Sequence, residues 1–203
     1  MERFRFERDR RRFIVGRGVL RTILGRYLGV EPDKVQFRYS PRGKPYLAER
    51  FDSYGLRFNL AHSHELALYA FTRDREIGVD LEYVRPMPDA VEIATRFFST
   101  RENAVFRVLP KSQELEAFYN CWTRKEAYLK ATGDGLARPL DQFAVSLTPG
   151  EPARLLHVEK DLLQEIARWS FQALKPAFSY VAAVAVEGHD WRLVCWQWTW
   201  SRE

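Results

Sequence analysis

The order of the elements predicted along the chain favours an α+β fold. A helix comes first, strands follow, helices come next and strands close the chain, whereas a parallel α/β sheet alternates strands and helices regularly. The chain has 203 residues, 46% of them hydrophobic, so it is long enough for one large domain or two small ones with a substantial core. The aromatic content is high, with 14 Phe, 9 Tyr and 6 Trp, and predicts an aromatic-rich core.

The first part of the chain is predicted to hold one helix and a group of strands. Residues 4–28 carry apolar side chains at helical spacing up to a glycine stop at Gly29. "VQFRYS" (35–40) alternates as a strand does, and "PRGKP" (41–45) is typical of a turn. Three further strands are predicted, the first two joined tightly at His64–Glu65: "LRFNLAHS" (56–63), "LALYAF" (66–71) and "EIGVDLE" (76–82).

Helices dominate the next part, after the "RPMPD" break at 85–89. Residues 89–97 favour a short helix, and "STRE" (99–102) fits a capping box with Ser99 as the N-cap. A longer helix after Ser112 ends at Gly133 and Gly135. Four strands are then predicted: "FAVSLT" (143–148), "RWSFQALK" (168–175), "FSYVAAVAV" (178–186) and "RLVCWQWTW" (192–200), the last with Trp196, Trp198 and Trp200 on one face.

Charge and composition narrow the function classes. The net charge is +5, and nine arginines lie within the first 26 residues, which suggests a polyanionic partner, although a solvated helix face explains the cluster as well. No apolar run approaches the about 20 residues that a membrane span needs, and no secretory signal is visible. Cys121 and Cys195 lack zinc-type spacing and predict a cytoplasmic location without a disulfide framework.

The strand "IGVDLE" carries two carboxylates on one face. Side chains alternate along a strand, so Asp80 and Glu82 share a face with Gly78. Two adjacent anions repel unless a cation lies between them or one is protonated, and carboxylate oxygens suit Mg²⁺. Taken alone, two ordinary acids on an exposed strand face are the simpler interpretation.

The stretch "WTRKEAYLKATGDGL" (122–136) places a second pair of charges on a helix. Trp122, Glu126 and Lys130 follow one another at four-residue intervals and therefore share one side. Because that side also holds a tryptophan, the two charges are candidates for a polar site inside the protein. A surface ion pair one helical turn apart is the common alternative.

In "FNLAHSHE", His62 and Ser63 lie where a predicted strand ends. A histidine in this position can hold a phosphate, although a single histidine is more often a structural group. Neither reading is decided by this stretch alone.

Taken together and in this order, these motifs resemble the 4′-phosphopantetheinyl transferases of the monomeric, surfactin-synthetase-activating type. The resemblance covers about the middle two-thirds of the chain, and the combination of "GVDLE" with "WxxKEAYxKxxGxGL" about 40 residues later makes it specific. The matching stretches are "GKPYL" (43–47), "FNLAHS" (58–63), "IGVDLE" (77–82), "RFFSTRE" (96–102), "WTRKEAYLKATGDGL" (122–136) and "PLDQFAVSL" (139–147).

The resemblance implies a fold and a reaction. The fold would be two similar α+β halves, residues 1–75 and 76–203, joined as a pseudo-twofold monomer with coenzyme A between them. The enzyme would transfer the 4′-phosphopantetheine arm of coenzyme A to a serine of an acyl or peptidyl carrier protein and release adenosine 3′,5′-bisphosphate. A protein of this kind would need neither nucleic acid nor a membrane as a partner.

The resemblance also implies a role for each matching residue. Asp80, Glu82 and Glu126 would hold Mg²⁺, or Mn²⁺, against the diphosphate, and Glu126 and Lys130 would be the catalytic pair. Attack on a diphosphate requires that its charge be neutralised, and the carrier serine needs a base to take its proton. Coenzyme A contacts are implied for four residues: Arg12 and Lys44 at the nucleotide end, and His62 and Ser63 at phosphates.

Two departures from the family pattern qualify these expectations. A strand and basic residues commonly precede the Arg3–Phe4 pair in the family, so the first half is expected either to lack that strand or to have its start upstream. Ala61 stands where the family commonly has a serine, so one hydroxyl is absent. The alternatives are a non-catalytic relative that binds coenzyme A or a carrier protein, and a basic nucleic-acid-binding protein.

Overall fold

The computed structural model describes residues 7–159 and 162–199. The predicted first helix is confirmed from residue 7 onward, and its residues 4–6 lie outside the described part. The α-helices in this part of the chain are α1 (Glu7–Leu28), α2 (Ala90–Phe97), α3 (Thr100–Val108), α4 (Lys111–Thr132) and α5 (Leu162–Arg168). Short 3₁₀ turns lie at Pro32–Lys34, Glu49–Tyr54, Gly135–Ala137 and Leu140–Gln142.

The strands form small antiparallel sheets. β1 pairs with β2, β3 with β4 and β6 with β7, while β9 lies between β5 and β8 in a three-stranded sheet. The strands are β1 (Phe37–Tyr39), β2 (Pro45–Leu47), β3 (Leu56–Ser63), β4 (Leu66–Arg73), β5 (Ile77–Tyr83), β6 (Phe143–Val145), β7 (Leu155–Val158), β8 (Trp169–Leu174) and β9 (Tyr180–Glu187). The mixture of helices with antiparallel sheets confirms the predicted α+β class.

One sequence of elements occurs twice. A 22-residue helix, a short two-stranded ribbon and a longer hairpin appear first as α1, β1–β2 and β3–β4, and again as α4, β6–β7 and β8–β9. The second set also contains β5, which pairs with β9. Each set has its own apolar cluster, one around α1 and β3 and the other around α4, β6 and β9.

Helix α4 lies directly on β5 because Gly78 leaves room for it. A Cβ atom at Gly78 would lie 2.0 Å from the carbonyl oxygen of Ala127 and 2.3 Å from the backbone nitrogen of Ala131. Only a residue without a side chain permits this approach. The contact brings the face of β5 that carries Asp80 against the side of α4 that carries Lys130.

The predicted capping box is confirmed, and it connects to α4 through a buried ion pair. Ser99 caps α3 by accepting from the backbone N–H of Glu102, whose side chain accepts in turn from the Ser99 backbone. The Glu102 carboxylate also pairs with Lys125 at 2.8 Å, and neither side chain is more than 1% exposed. Glu102 and Lys125 are therefore structural groups of the second half.

The C-terminal prediction is wrong. Residues 191–199 form no strand, and Trp196 is 87% exposed. Trp198 instead lies 5.0 Å from the guanidinium of Arg26 on α1, while Trp200 is outside the described residues. An alternating pattern forms a strand only where a neighbouring strand offers hydrogen bonds, and no strand in the described part of the chain pairs with this segment.

The sequence patterns also missed two strands and a helix: β2, β7 and α5. Cys121 is buried and Cys195 is exposed, and both are free thiols. Among the described residues, no helix has the length and apolar character to cross a membrane.

Candidate active site

Charged side chains of β5 and of α4 meet where the helix crosses the strand. Strand β5 contributes Asp80 and Glu82, and α4 contributes Glu126 and Lys130. The Lys130 ammonium donates to Oδ1 of Asp80 at 2.6 Å. The predicted carboxylates and the predicted catalytic lysine, which lie about 50 residues apart in the chain, therefore share one region of the surface.

The three carboxylates influence one another's charge. Burial, followed by repulsion from Asp80, raises the pKa of Glu126, and the same two causes raise the pKa of Glu82. Burial also raises the pKa of Asp80, and Lys130 opposes that change. Negative charge is thus concentrated here beyond what one lysine compensates, which makes the cluster suited to a cation.

The donor atoms fit a hard divalent cation, although the side chains are not gathered as a finished ligand set. Oδ2 of Asp80 is buried and has no hydrogen-bond donor in the described part of the chain. Its neighbours Glu82 and Glu126 offer further carboxylate oxygens, the ligand type that Mg²⁺ prefers. Across residues 7–159 and 162–199, however, no three His, Cys, Asp or Glu side chains stand in an arrangement that already holds a metal ion.

Ser63 joins this cluster from β3. Its hydroxyl donates to Oε2 of Glu82 at 3.0 Å and accepts from the backbone N–H of Tyr83 at 3.0 Å. The end of β3 is thereby tied to the end of β5, and one of the four predicted coenzyme A contacts lies beside the carboxylates.

A cleft of about 340 Å³ opens next to Glu82. Its wall combines polar side chains, among them Ser63, Glu82 and Arg85, with apolar and aromatic ones such as Phe118 and Trp122. The predicted inward side of α4 therefore faces this cleft at Trp122 and the carboxylates at Glu126. This mixed lining fits a ligand that has both charged and less polar parts.

Lys44 lies at the C-terminal end of α4 and forms hydrogen bonds within the protein. Its ammonium donates to Glu76 at 2.7 Å and to the carbonyl oxygen of Ala131 at 2.7 Å, and burial lowers its pKa. The carbonyl belongs to the last turn of α4, where a cation is favourable. Lys44 therefore supports the residue next to Lys130, and its predicted contact with a nucleotide remains a prediction.

Arg12 and His62 lie outside the carboxylate cluster. Arg12 on α1 pairs with Glu65 at 2.5 Å, beside a second hollow that Arg8 and Arg11 also line. His62 is exposed, and because side chains alternate along β3 it points away from the face that carries Ser63. The structure thus groups Ser63, but not Arg12 or His62, with the carboxylates.

Sequence patterns missed two residues that shape the site. Gly78 was visible only as the residue without a side chain on the carboxylate face. Asn59 is buried on β3, and its side-chain oxygen accepts from the backbone N–H of Val79 at 3.0 Å. The available signal was its four-residue spacing from Ser63, which places both side chains on one face of a strand.

Comparison with known proteins agrees with the resemblance of the sequence motifs. A family model described as the 4′-phosphopantetheinyl transferase superfamily matches residues 76–185, and a model of the N-terminal part of a 4′-phosphopantetheinyl transferase matches residues 1–73. The 4′-phosphopantetheinyl transferase HetI of Nostoc sp. is 50% identical over 97% of this chain and 79% of its own length.

Two further similarities are more distant. The 4′-phosphopantetheinyl transferase Sfp of Bacillus subtilis is 32% identical over 71% of this chain and 62% of its own length, so the match spans less than two thirds of that protein. The crystal structure of Thermotoga maritima holo-[acyl-carrier-protein] synthase overlaps 57% of this chain and 64% of its own, with a TM-score of 0.43 and 21% identity.

Proposed function

The chain belongs to the 4′-phosphopantetheinyl transferase superfamily, and on that premise we propose that it transfers the 4′-phosphopantetheine arm of coenzyme A to a serine of an acyl or peptidyl carrier protein. The observation that carries the proposal is the meeting of Asp80, Glu82, Glu126 and Lys130 where α4 crosses β5. This arrangement combines oxygen ligands for a divalent cation, a carboxylate base and an ammonium group within one region.

The reaction is a phosphoryl-type transfer, in which one bond to phosphorus forms and another breaks. The serine oxygen forms a bond to the phosphorus that carries the pantetheine, and the bond between that phosphorus and the bridging diphosphate oxygen breaks. Adenosine 3′,5′-bisphosphate leaves with the bridging oxygen. Since the leaving group and the transferred group are both anionic, the enzyme must stabilise negative charge as the bond breaks.

Glu126 is the proposed base. In the metal-free protein, burial and repulsion from Asp80 raise the pKa of this carboxylate. A carboxylate within reach of the attacking hydroxyl can serve as a general base. In this role Glu126 takes the proton from the carrier serine as the serine oxygen attacks. Lys130 neutralises charge on the diphosphate, for which its ammonium must leave Asp80 or bridge from it.

Asp80, Glu82 and Glu126 are the residues that would hold Mg²⁺, or Mn²⁺. The ion would supply charge neutralisation at the diphosphate oxygens. The unpartnered Oδ2 of Asp80 and the raised pKa values of its neighbours support this assignment. Ser63 orients Glu82 through its hydrogen bond.

The remaining contacts to coenzyme A are proposed from the resemblance of their motifs to those of the family. The cleft beside Glu82 is proposed to take the pantetheine arm, since its wall combines polar side chains with apolar and aromatic ones. Arg12 and Lys44 are proposed for the nucleotide end and His62 for a phosphate. The hollow beside Arg12, which is lined by three arginines and two glutamates, supports the assignment of Arg12.

We further propose a monomer with halves 1–75 and 76–203 that works in the cytoplasm. The repeated order of helix, ribbon and hairpin supports two related halves. Two free thiols, one of them exposed, are compatible with a reducing compartment.

Intact-protein mass spectrometry tests the function. An apo carrier protein is incubated with the enzyme, coenzyme A and Mg²⁺, and the expected result is a mass gain of one phosphopantetheine arm that EDTA abolishes. Glu126→Gln should remove the gain. Glu116→Gln is the matched control, because Glu116 lies on the same helix but pairs with Lys175 at the surface.

Coenzyme A binding without a mass gain on any carrier would support a non-catalytic relative. Salt-dependent binding of duplex DNA with no coenzyme A binding would favour the nucleic-acid alternative.

A further inference from the structure

Among residues 7–159 and 162–199, no strand pairs with the edge of β5 that faces away from β9. Just beyond the end of β5, Val84 donates its backbone N–H to the carbonyl oxygen of Ser179 at 2.7 Å, on the β9 side. Because backbone groups alternate in an antiparallel strand, the N–H groups of Val79, Leu81 and Tyr83 point to the opposite edge, toward β3.

Side chains of β3 take the first and last of these N–H groups. Oδ1 of Asn59 accepts from Val79 at 3.0 Å, and the hydroxyl of Ser63 accepts from Tyr83 at 3.0 Å. The two acceptors are four residues apart on β3, and the two donors are four residues apart on β5. Two side chains therefore set the register of β5 against β3, in the way that a ladder of backbone hydrogen bonds would.

We propose that Asn59 is a positioning residue for the reaction, which holds β5 at Val79 so that Asp80 and Glu82 keep their place opposite Glu126 and Lys130. The proposal rests on the proposed transferase function. Asn59 acts through the backbone of β5, since its side-chain oxygen binds the residue immediately before Asp80 and not a carboxylate.

Burial makes the hydrogen bond from Val79 to Asn59 difficult to replace. Asn59 is 5% exposed and Val79 is 2% exposed, so a freed N–H at this point has little access to water. An unsatisfied buried N–H favours any displacement of the strand that restores a partner. Both carboxylates lie on β5, and a shift of the strand therefore moves them together relative to α4.

The amino and carboxyl ends of this stretch of β5 differ in how they are supported. Ser63 binds both the backbone at Tyr83 and the Glu82 side chain, whereas at the Asp80 end the link to β3 is Asn59. Loss of Asn59 should therefore affect the Asp80 end first. This difference predicts that the loss of Asn59 is detected at the Asp80 end of β5 before it is detected at the Tyr83 end.

Asn59→Leu keeps the approximate size of the side chain and removes the acceptor. We expect kcat to fall by about 10- to 100-fold while KM for coenzyme A changes by less than about threefold. Isothermal titration calorimetry with Mg²⁺ should show metal binding weakened by about 10-fold or more. By hydrogen exchange, the Val79 amide should exchange faster than in the wild type while the Tyr83 amide changes less.

Asn120→Leu is the matched control. Asn120 is also 5% exposed and donates to the Leu147 carbonyl oxygen, but it lies six residues before Glu126 on α4. Its replacement should lower stability and leave kcat and Mg²⁺ binding within about twofold of the wild type. Asn59→Ala likewise removes the side-chain acceptor and takes the place of Asn59→Leu should the leucine variant not fold.

The outcomes separate this proposal from the proposed function. A wild-type protein without transfer activity or Mg²⁺ binding would refute the proposed function. With an active wild type, an Asn59 variant that loses stability but keeps its kcat and Mg²⁺ affinity would show Asn59 to be purely structural. A fall in kcat of equal size in Asn120→Leu would likewise overturn the positioning role.

Discussion

Gly78→Ala is expected to separate the two elements that form the candidate active site. The new Cβ would lie 2.0 Å from the Ala127 carbonyl oxygen and 2.9 Å from the Ala131 Cα. The local gap between β5 and α4 must widen by about 1.4 Å, the difference between that 2.0 Å and the 3.4 Å at which ordinary contact begins. Overpacking of this kind costs about 1–3 kcal/mol of unfolding free energy.

The same displacement acts on the reacting groups. It separates Asp80 on β5 from Lys130 on α4. In the wild type, Oδ1 of Asp80 and Nζ of Lys130 lie 2.6 Å apart. A misplacement of about 1 Å can cost about 100-fold in rate, so transfer activity should fall by that order. Denaturant unfolding and mass-spectrometric transfer assays on the same preparation measure the two effects.

Gly18→Ala provides the matched control. Gly18 lies within α1, and a Cβ there meets no atom within 4 Å. Replacing a helical glycine should stabilise the protein by about 0.5–1 kcal/mol and leave activity unchanged. A Gly78→Ala protein as stable and as active as the wild type would refute the reasoning, because it would show that β5 and α4 do not approach this closely.

Three further substitutions test the roles assigned to charged groups. Lys130→Ala should lower turnover by a larger factor than it raises the coenzyme A dissociation constant, and equal factors in the transfer and calorimetric assays would leave it only a binding role. Lys125→Met should lower the unfolding free energy, measured with denaturant, by about 3–5 kcal/mol because Glu102 is left buried without its partner; a loss under about 1 kcal/mol is what a surface pair would give. Glu126→Gln should raise the melting temperature of the metal-free protein at pH 7, by about 2–4 °C for each kcal/mol gained. The pKa of Glu126 is raised in the folded protein, so ionisation of this carboxylate opposes folding above that pKa, and the advantage should shrink as the pH falls below it. A melting temperature that is unchanged or lower at pH 7 would contradict this reasoning.

The fold class and most elements followed from local patterns. Strand β3 begins and ends where its alternating residues predicted, and the capping box at Ser99 begins α3 as expected. These features depend on neighbours in the sequence: side-chain periodicity in a strand and reciprocal hydrogen bonds across one helical turn. The C-terminal tryptophan segment had an equally regular pattern, but strand formation also requires a partner edge, which no local pattern specifies.

The sequence by itself determined which residue types are available for the site and on which faces of their elements they lie. Asp80 and Glu82 share a face of β5, and Glu126 and Lys130 share a side of α4, because strand and helix periods are fixed by the backbone. Only the tertiary structure decided that these faces meet, through the close approach at Gly78 and the hydrogen bond that Lys130 donates to Asp80, while Asn59 and Ser63 on β3 accept hydrogen bonds from the backbone of β5. It also decided that Lys44 supports the end of α4 from within the protein, since the burial of a charge depends on what surrounds it and not on its neighbours in the chain.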